Sequence, residues 1–201
     1  MDLVHQIAIG AGLAWASGIR LYAVVFLAGL LAHFGVIQLP AGLQVLTHPL
    51  VLSASGLMFV LEFFADKIPG LDSAWDAIHT FIRIPAGAVL AAATFSDVDP
   101  ALMLAAGLVG GTIASGSHFT KAGSRAVINT SPEPFTNWAA SFGEEAAVLG
   151  GLWAMFLHPV AFLVLLVLFL AFAAWLVPKL WRAIRTLAQR LRGGASAARA
   201  R

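Results

Sequence analysis

Cysteine is absent from the 201-residue chain, which excludes disulfides, thiolate metal sites and a cysteine nucleophile and leaves the redox compartment unread. Charge is scarce as well: Asp, Glu, Lys and Arg make up 11% of the residues, where about a quarter is usual in a soluble domain. There is no Walker-type phosphate loop, no GxSxG and no HExxH, and the six histidines are scattered without metal-ligand spacing. ATP-driven transport and metallo-hydrolysis therefore lack support. We expect a protein that is not an enzyme, with no catalytic residue, metal ligand or cofactor.

What remains is apolar. The chain is 60% hydrophobic with a mean hydropathy of +0.87, the composition of an integral membrane protein. Its N-terminus has Asp2 and no Lys or Arg before the first apolar run, unlike the basic start of a secretory signal, so it reads as a retained first span. A span needs about 20 predominantly apolar residues, and six segments come near that: Leu3 to Phe34, Pro49 to Ala65, Ala77 to Phe95, Ala101 to Phe119, Phe135 to Leu157 and Pro159 to Val177. The breaks "QLPAG", "KIPGLDS", "SDVDP", "TSPEP" and "HP" carry turn residues. The expected fold is all-α: one transmembrane domain over 1–178, followed by a basic tail over 179–201.

Lys and Arg set the orientation, because cytoplasmic loops carry their excess. The tail has seven basic residues and no acid. Counting six spans inward from it puts both termini in the cytoplasm of a bacterial inner-membrane protein. Lys67, Arg83, Lys121 and Arg125 then fall at cytoplasmic ends, the loops Gly35 to His48 and Ser96 to Pro100 contain no cation, and Arg20 alone of the twelve basic residues breaks the rule. The third segment is ambiguous. Leu71, Trp75, Ile78 and Ile82 recur opposite Asp72, Asp76, His79 and Arg83, as in a helix lying in the membrane interface.

An offset of 98 residues places "GLAWASG" (Gly12 to Gly18) over "GGTIASG" (Gly110 to Gly116). Two three-span repeats, about 3–95 and 101–177, would be inverted relative to each other, a plan recurrent in secondary transporters with the site near the midplane. The small residues permit close helix packing. The same positions could instead unwind, turning backbone N–H groups and the hydroxyls of Ser17 and Ser115 toward a ligand.

Arg20 is costly at membrane depth and needs a partner. Glu144 and Glu145 are candidates, with Glu62 nearer the cytoplasmic end. These acids read either as ion pairs that fix helix register or as counter-charges and proton acceptors. Asp66 and Lys67 read as interfacial. His118 occupies the repeat position of Arg20 and could be a proton relay or ordinary hydrogen-bonded structure. Lys121 and Arg125 share a helix face at i, i+4, suited to an anionic group or to positive-inside topology. The run "PVAFLVLLVLFLAFAAWLV" is bulky throughout and should face lipid. The tail should lie on anionic lipid rather than nucleic acid.

The pairing of "ASGIRLY" with "ASGSHFTKAGSRAVINTSPEP" resembles the bacterial membrane family catalogued as domain of unknown function 4126, from Leu3 to about Val177. The resemblance implies a polytopic membrane protein with these motifs as its signature, and no substrate or catalytic role. From the residues themselves we expect a small transporter or permeation pathway for an anionic or zwitterionic solute or lipid headgroup. Ser17, Gly18, Arg20, Ser115, Gly116, His118, Lys121 and Arg125 would line its site, and Glu62, Glu144 and Glu145 would serve as counter-charges. A noncatalytic scaffold or partner subunit is the alternative, an intramembrane lipid-modifying enzyme a further one, and self-association is left open.

Overall fold

The computed structural model describes residues 1–130 and 134–199. The "TSPEP" break at Ser131 to Glu133, and the side chains of Arg190, Arg192, Arg199 and Arg201 on which the tail's lipid contact was expected to depend, lie outside the described residues. All regular structure in the described residues is helical: α1 (Leu3–His33), a 3-10 helix (Ala41–Thr47), α2 (Pro49–Ala65), α3 (Leu71–Ala93), α4 (Pro100–Ile128), α5 (Pro134–Leu157) and α6 (Pro159–Arg199). By length and composition three helices can cross a membrane: α1, α4 and the Pro159–Thr186 part of α6. The 3-10 helix and α2, bent by 68°, make a fourth if taken as one broken span.

Local chemistry sets the helix starts. Proline opens α2, α4, α5 and α6, where its missing N–H costs nothing. Asp99 caps α4 by accepting from Ala101 N at 2.7 Å and Leu102 N at 3.1 Å, and Asp2 caps α1 through His5 N at 2.7 Å.

The first helix is not one straight rod. Arg20 has φ −146° and ψ 77°, extended backbone inside an otherwise helical run. A continuous helix of this length would hold its ends about 46 Å apart at 1.5 Å per residue. Instead Met1, Asp2 and His5 line one cleft together with Val36, Ile37 and Gln38. The halves 3–19 and 21–33 therefore form a hairpin with Arg20 at its tip, and this replaces the single first span expected from the sequence. It was hidden because an apolar run reports burial without reporting a reversal of direction.

The first half of the hairpin is the centre of the molecule. Ala8, Ile9, Leu13, Ala14 and Ala16 are buried to 1% exposure or less. Around it pack α3, α4, α5 and α6, while the second half packs on α2 and α3. Glycines allow the closest approaches. A Cβ on Gly18 would collide with Ser117 Oγ and Ala114 O, one on Gly87 with Ala114 and Ser17, and one on Gly110 with Ala91.

These contacts fix direction: residue 14 lies against 110, and 18 against 114 and 117. The two ASG runs therefore lie side by side and point the same way, so they are not related by the inverted repeat expected from the alignment. α4 is also helical throughout Ala114 to Ser117, with Ser115 Oγ and Ser117 Oγ returned to the helix's own carbonyls of Gly111 and Ile113. Unwinding occurs just after the first run, at Arg20, and not at or after the second.

The third segment is a single helix that is not among those long and apolar enough to cross a membrane. α3 continues through Pro85 to Ala93, with Asp72, Asp76, His79 and Arg83 buried while Ile78 and Ile82 are exposed. It packs as a full helix of the bundle with its charged stripe turned inward, because its apolar face is the one suited to lipid. The expected lipid-facing run of α6 is exposed over most of its length.

Candidate functional site

The hairpin tip delivers Arg20 to a network of charges drawn from α1, α2, the α2–α3 turn, α3, α4 and α5. Arg20, Glu62, Asp66, Asp72 and Arg83 have no exposed surface. Arg20 Nη2 reaches Asp66 at 3.0 Å, Glu145 at 3.4 Å and Glu144 at 3.5 Å, and donates to Ser141 Oγ at 2.8 Å. Lys121 pairs with Asp66 at 2.8 Å, Glu144 at 3.4 Å and Asp76 at 3.5 Å. Arg83 bridges Glu62 at 2.5 Å and Asp76 at 2.7 Å. Arg125 holds Glu144 at 2.9 Å and donates to Asp66 O and Asn137 O at 3.1 and 3.0 Å. Lys67 reaches Glu145 and Ser141 Oγ, both at 3.3 Å, with Phe63's ring centroid 3.0 Å away.

Breaking a helix frees backbone groups, and at membrane depth these must be answered by protein or water. Lys121 Nζ donates to Ile19 O at 3.1 Å, which answers a carbonyl released at the tip. At the α2–α3 turn, Asp72 Oδ1 accepts from Gly70 N, Ser73 N and Asn129 Nδ2 at 2.9, 2.7 and 2.7 Å, and Asn137 donates to Asn129 at 2.8 Å. This chain of bonds ties the α2–α3 turn to α4 and α5. Just past the end of α2, burial pushes the Asp66 carboxyl up, but Lys121 and Arg20 outweigh it and hold it below the usual carboxylate range.

The residues named from sequence divide in two. Arg20, Lys121, Arg125, Glu62, Glu144 and Glu145 come together in the network. Ser17 and Gly18 lie just before the tip and are spent on packing: Ser17 Oγ donates to Ala14 O at 2.8 Å, and Gly18 abuts α4. His118 is buried beside them and meets Thr80 Oγ1 through Nε2 at 2.7 Å. Ser115 bonds within α4, and Gly116 faces Leu170 of α6, so neither reaches the network.

Asp66 and Lys67, read as interfacial, are part of it. So are Asp72, Asp76 and Arg83. Asn129, which the sequence offers as a donor for an anionic group, is instead bonded to Asp72 and Asn137, and Asn137 and Ser141 were not singled out at all. The available signal was the i, i+4, i+7 and i+11 spacing of Asp72, Asp76, His79 and Arg83 on one stripe of α3. It marks a buried face as readily as a wet one. These carboxylates also change the electrostatics: five cations stand against six acids, so the lining is mixed rather than cationic.

Fold and site together define an all-helical protein of membrane type, with an apolar exterior and a charged interior gathered at a broken helix. The chain belongs to the family described as a domain of unknown function, DUF4126, which matches residues 7–179. No curated protein and no solved structure matches it.

Proposed function

We propose that this protein is a small transporter or permeation pathway of the bacterial cytoplasmic membrane, taking a small zwitterionic solute or the zwitterionic headgroup of a lipid. The observation that carries this reading is the helix break at Arg20, buried among ten other ionisable side chains. Non-helical backbone at membrane depth is tolerated where protein or a polar pathway encloses it, and half-helix ends of this kind recur at transporter sites. A lining with both signs of charge suits a zwitterion better than a bare anion, since each end of the solute can take over one half of an existing ion pair.

The distribution of positive charge supports an assignment of the inner end. Lys67, Arg83, Lys121, Arg125 and the tail belong to one end of the bundle, and the hairpin brings Arg20 there too, so all twelve basic residues follow the cytoplasmic rule. Met1 then lies on the outer side, in place of the cytoplasmic N-terminus expected from an even span count.

The scaffold reading draws support from the tight glycine crossing, but that crossing already locks α1, α3 and α4 without charges. Buried ion pairs are an expensive way to add stability. The test is a melting screen of purified protein in detergent with glycine betaine, phosphocholine, amino acids and inorganic phosphate, followed by uptake of the best ligand into proteoliposomes. A zwitterion should raise the melting temperature more than phosphate does. Arg20→Gln should abolish the shift and the uptake at near-normal folded yield, whereas a register lock would lose folded yield. A headgroup substrate would appear as protein-dependent exchange of labelled phosphatidylethanolamine between leaflets, and an enzyme as lipid turnover.

A further inference from the structure

A groove of about 450 Å³ runs between the second half of α1, α2 and α3, lined by Leu21, Tyr22, Val25, Met58, Ala86 and Leu90 among others. Leu50 and Val51, at the outer start of α2, also line it, so it opens from the outer half of the bundle. Its inner lining residues on α2 and α3 are Met58 and Ala86. One helical turn further inward, at i+4 and i−3 on the same faces, stand Glu62 and Arg83. Tyr22 borders the groove, edge-on to His79 at 5.6 Å between ring centroids.

Glu62 is the least compensated acid of the network. Its Oε1 accepts from Arg83 at 2.5 Å, while its fully buried Oε2 has no hydrogen-bond partner among the described residues. Asp66, Asp76, Glu144 and Glu145 each lie within ion-pair distance of at least two cations. Asp72 accepts three hydrogen bonds. Among the described residues Glu62 has Arg83 alone within ion-pair distance and shares it with Asp76. With every group ionised, the six acids exceed the five cations by one charge, and one bound proton would cancel that excess.

We propose that Glu62, one turn beyond this groove, is a proton-binding site, and that solute movement through the network is coupled to its protonation. The coupling rests on the transport reading above; the proton site does not. Facing Glu62 are Arg83 from α3, with Asp76 and His79 nearby, Tyr22 and Arg20 from α1, Lys121 from α4 and Asp66 beyond the end of its own helix. A proton binds Oε2, and Glu62 becomes neutral. Arg83 then keeps Asp76 as its counter-ion, and Lys121 shifts its share of Asp76 toward Asp66 and Glu144. Loss of the proton restores the present pairing.

The probe is dicyclohexylcarbodiimide, an apolar reagent that adds to protonated carboxyls. Full-length protein in detergent should form one adduct, mapped by mass spectrometry to Glu62, that increases as pH is lowered from alkaline to mildly acid. The adduct should be lost in Glu62→Gln. Proteoliposomes loaded with a pH-sensitive dye should dissipate an imposed pH gradient, an activity lost in Glu62→Gln and regained in Glu62→Asp. Absence of a Glu62 adduct at every pH in the unsubstituted protein would overturn the proton site without recourse to any variant. Unchanged proton flux in Glu62→Gln would overturn it too. If Glu62 is labelled and protons move while no zwitterion does, the transport reading falls alone. If a zwitterion moves equally with and without a pH gradient, the coupling falls alone.

Discussion

Gly18 and Gly116 end the same tripeptide and occupy different physical situations. At Gly18 two backbones touch: an added Cβ would run into Ala114 O and Ser117 Oγ and stand 2.9 Å from His118 N. At Gly116 the nearest neighbour is a flexible leucine tip, Leu170 Cδ2, at 3.6 Å, an ordinary contact. Overpacking a tight site costs about 1–3 kcal/mol, so Gly18→Ala should lower the melting temperature in detergent distinctly, whereas Gly116→Ala should stay within about 0.5 kcal/mol of the parent. Equal effects would mean that the α1–α4 crossing is looser than the contacts imply. The letters A-S-G predicted small-residue packing for both, but they could not tell which glycine faces a backbone, since that depends on the rotation of α4 against α1.

The helices themselves were largely legible. Prolines mark where α2, α4 and α6 begin, with an acidic cap at α4, within a residue or so of the expected segments. The hairpin was not, although "SGIR" carries both a helix-weakening pair and a charge at its tip. Long apolar runs look alike whether they cross once or enter and return, and no count of loop charges detects a segment whose two ends emerge together. The absence of cysteine makes this testable by single-cysteine labelling in intact cells. Asp2→Cys and Asp97→Cys should both react with an impermeant maleimide added outside, and Lys179→Cys only after the membrane is opened. Labelling of Asp2→Cys with the inner-side pattern would restore a first helix that crosses.

Across the whole molecule, charge is sorted rather than spread. Seven basic residues are gathered from Lys179 onward, and every Lys and Arg before them belongs to the buried network. The sequence suggested a cationic lining because a stripe of Asp72, Asp76 and Arg83 reads as water-facing when the helix is pictured in water. With lipid outside, the same amphipathic pattern turns inward and supplies the missing acids.

A consequence follows for acid stability. Asp66 titrates below its unfolded value, so its pairs contribute fully above the ordinary carboxylate range, about pH 4, and that contribution disappears as pH falls through the lowered value. The parent protein should therefore lose melting temperature on acidification. Asp66→Asn should start lower and lose less over the same interval, and parallel acid slopes would remove Asp66 from the account.

The hairpin also dictates an order of biogenesis. Arg20 leaves the ribosome early, yet Glu144, one of the acids that answers it, follows 124 residues later. Until α5 is made, the newborn first helices carry an incompletely neutralised guanidinium that bilayer alone would reject. The hairpin must then reach its final depth late, after translation has supplied the α5 acids, and a nascent chain truncated before Ser141 should keep Arg20 within reach of water.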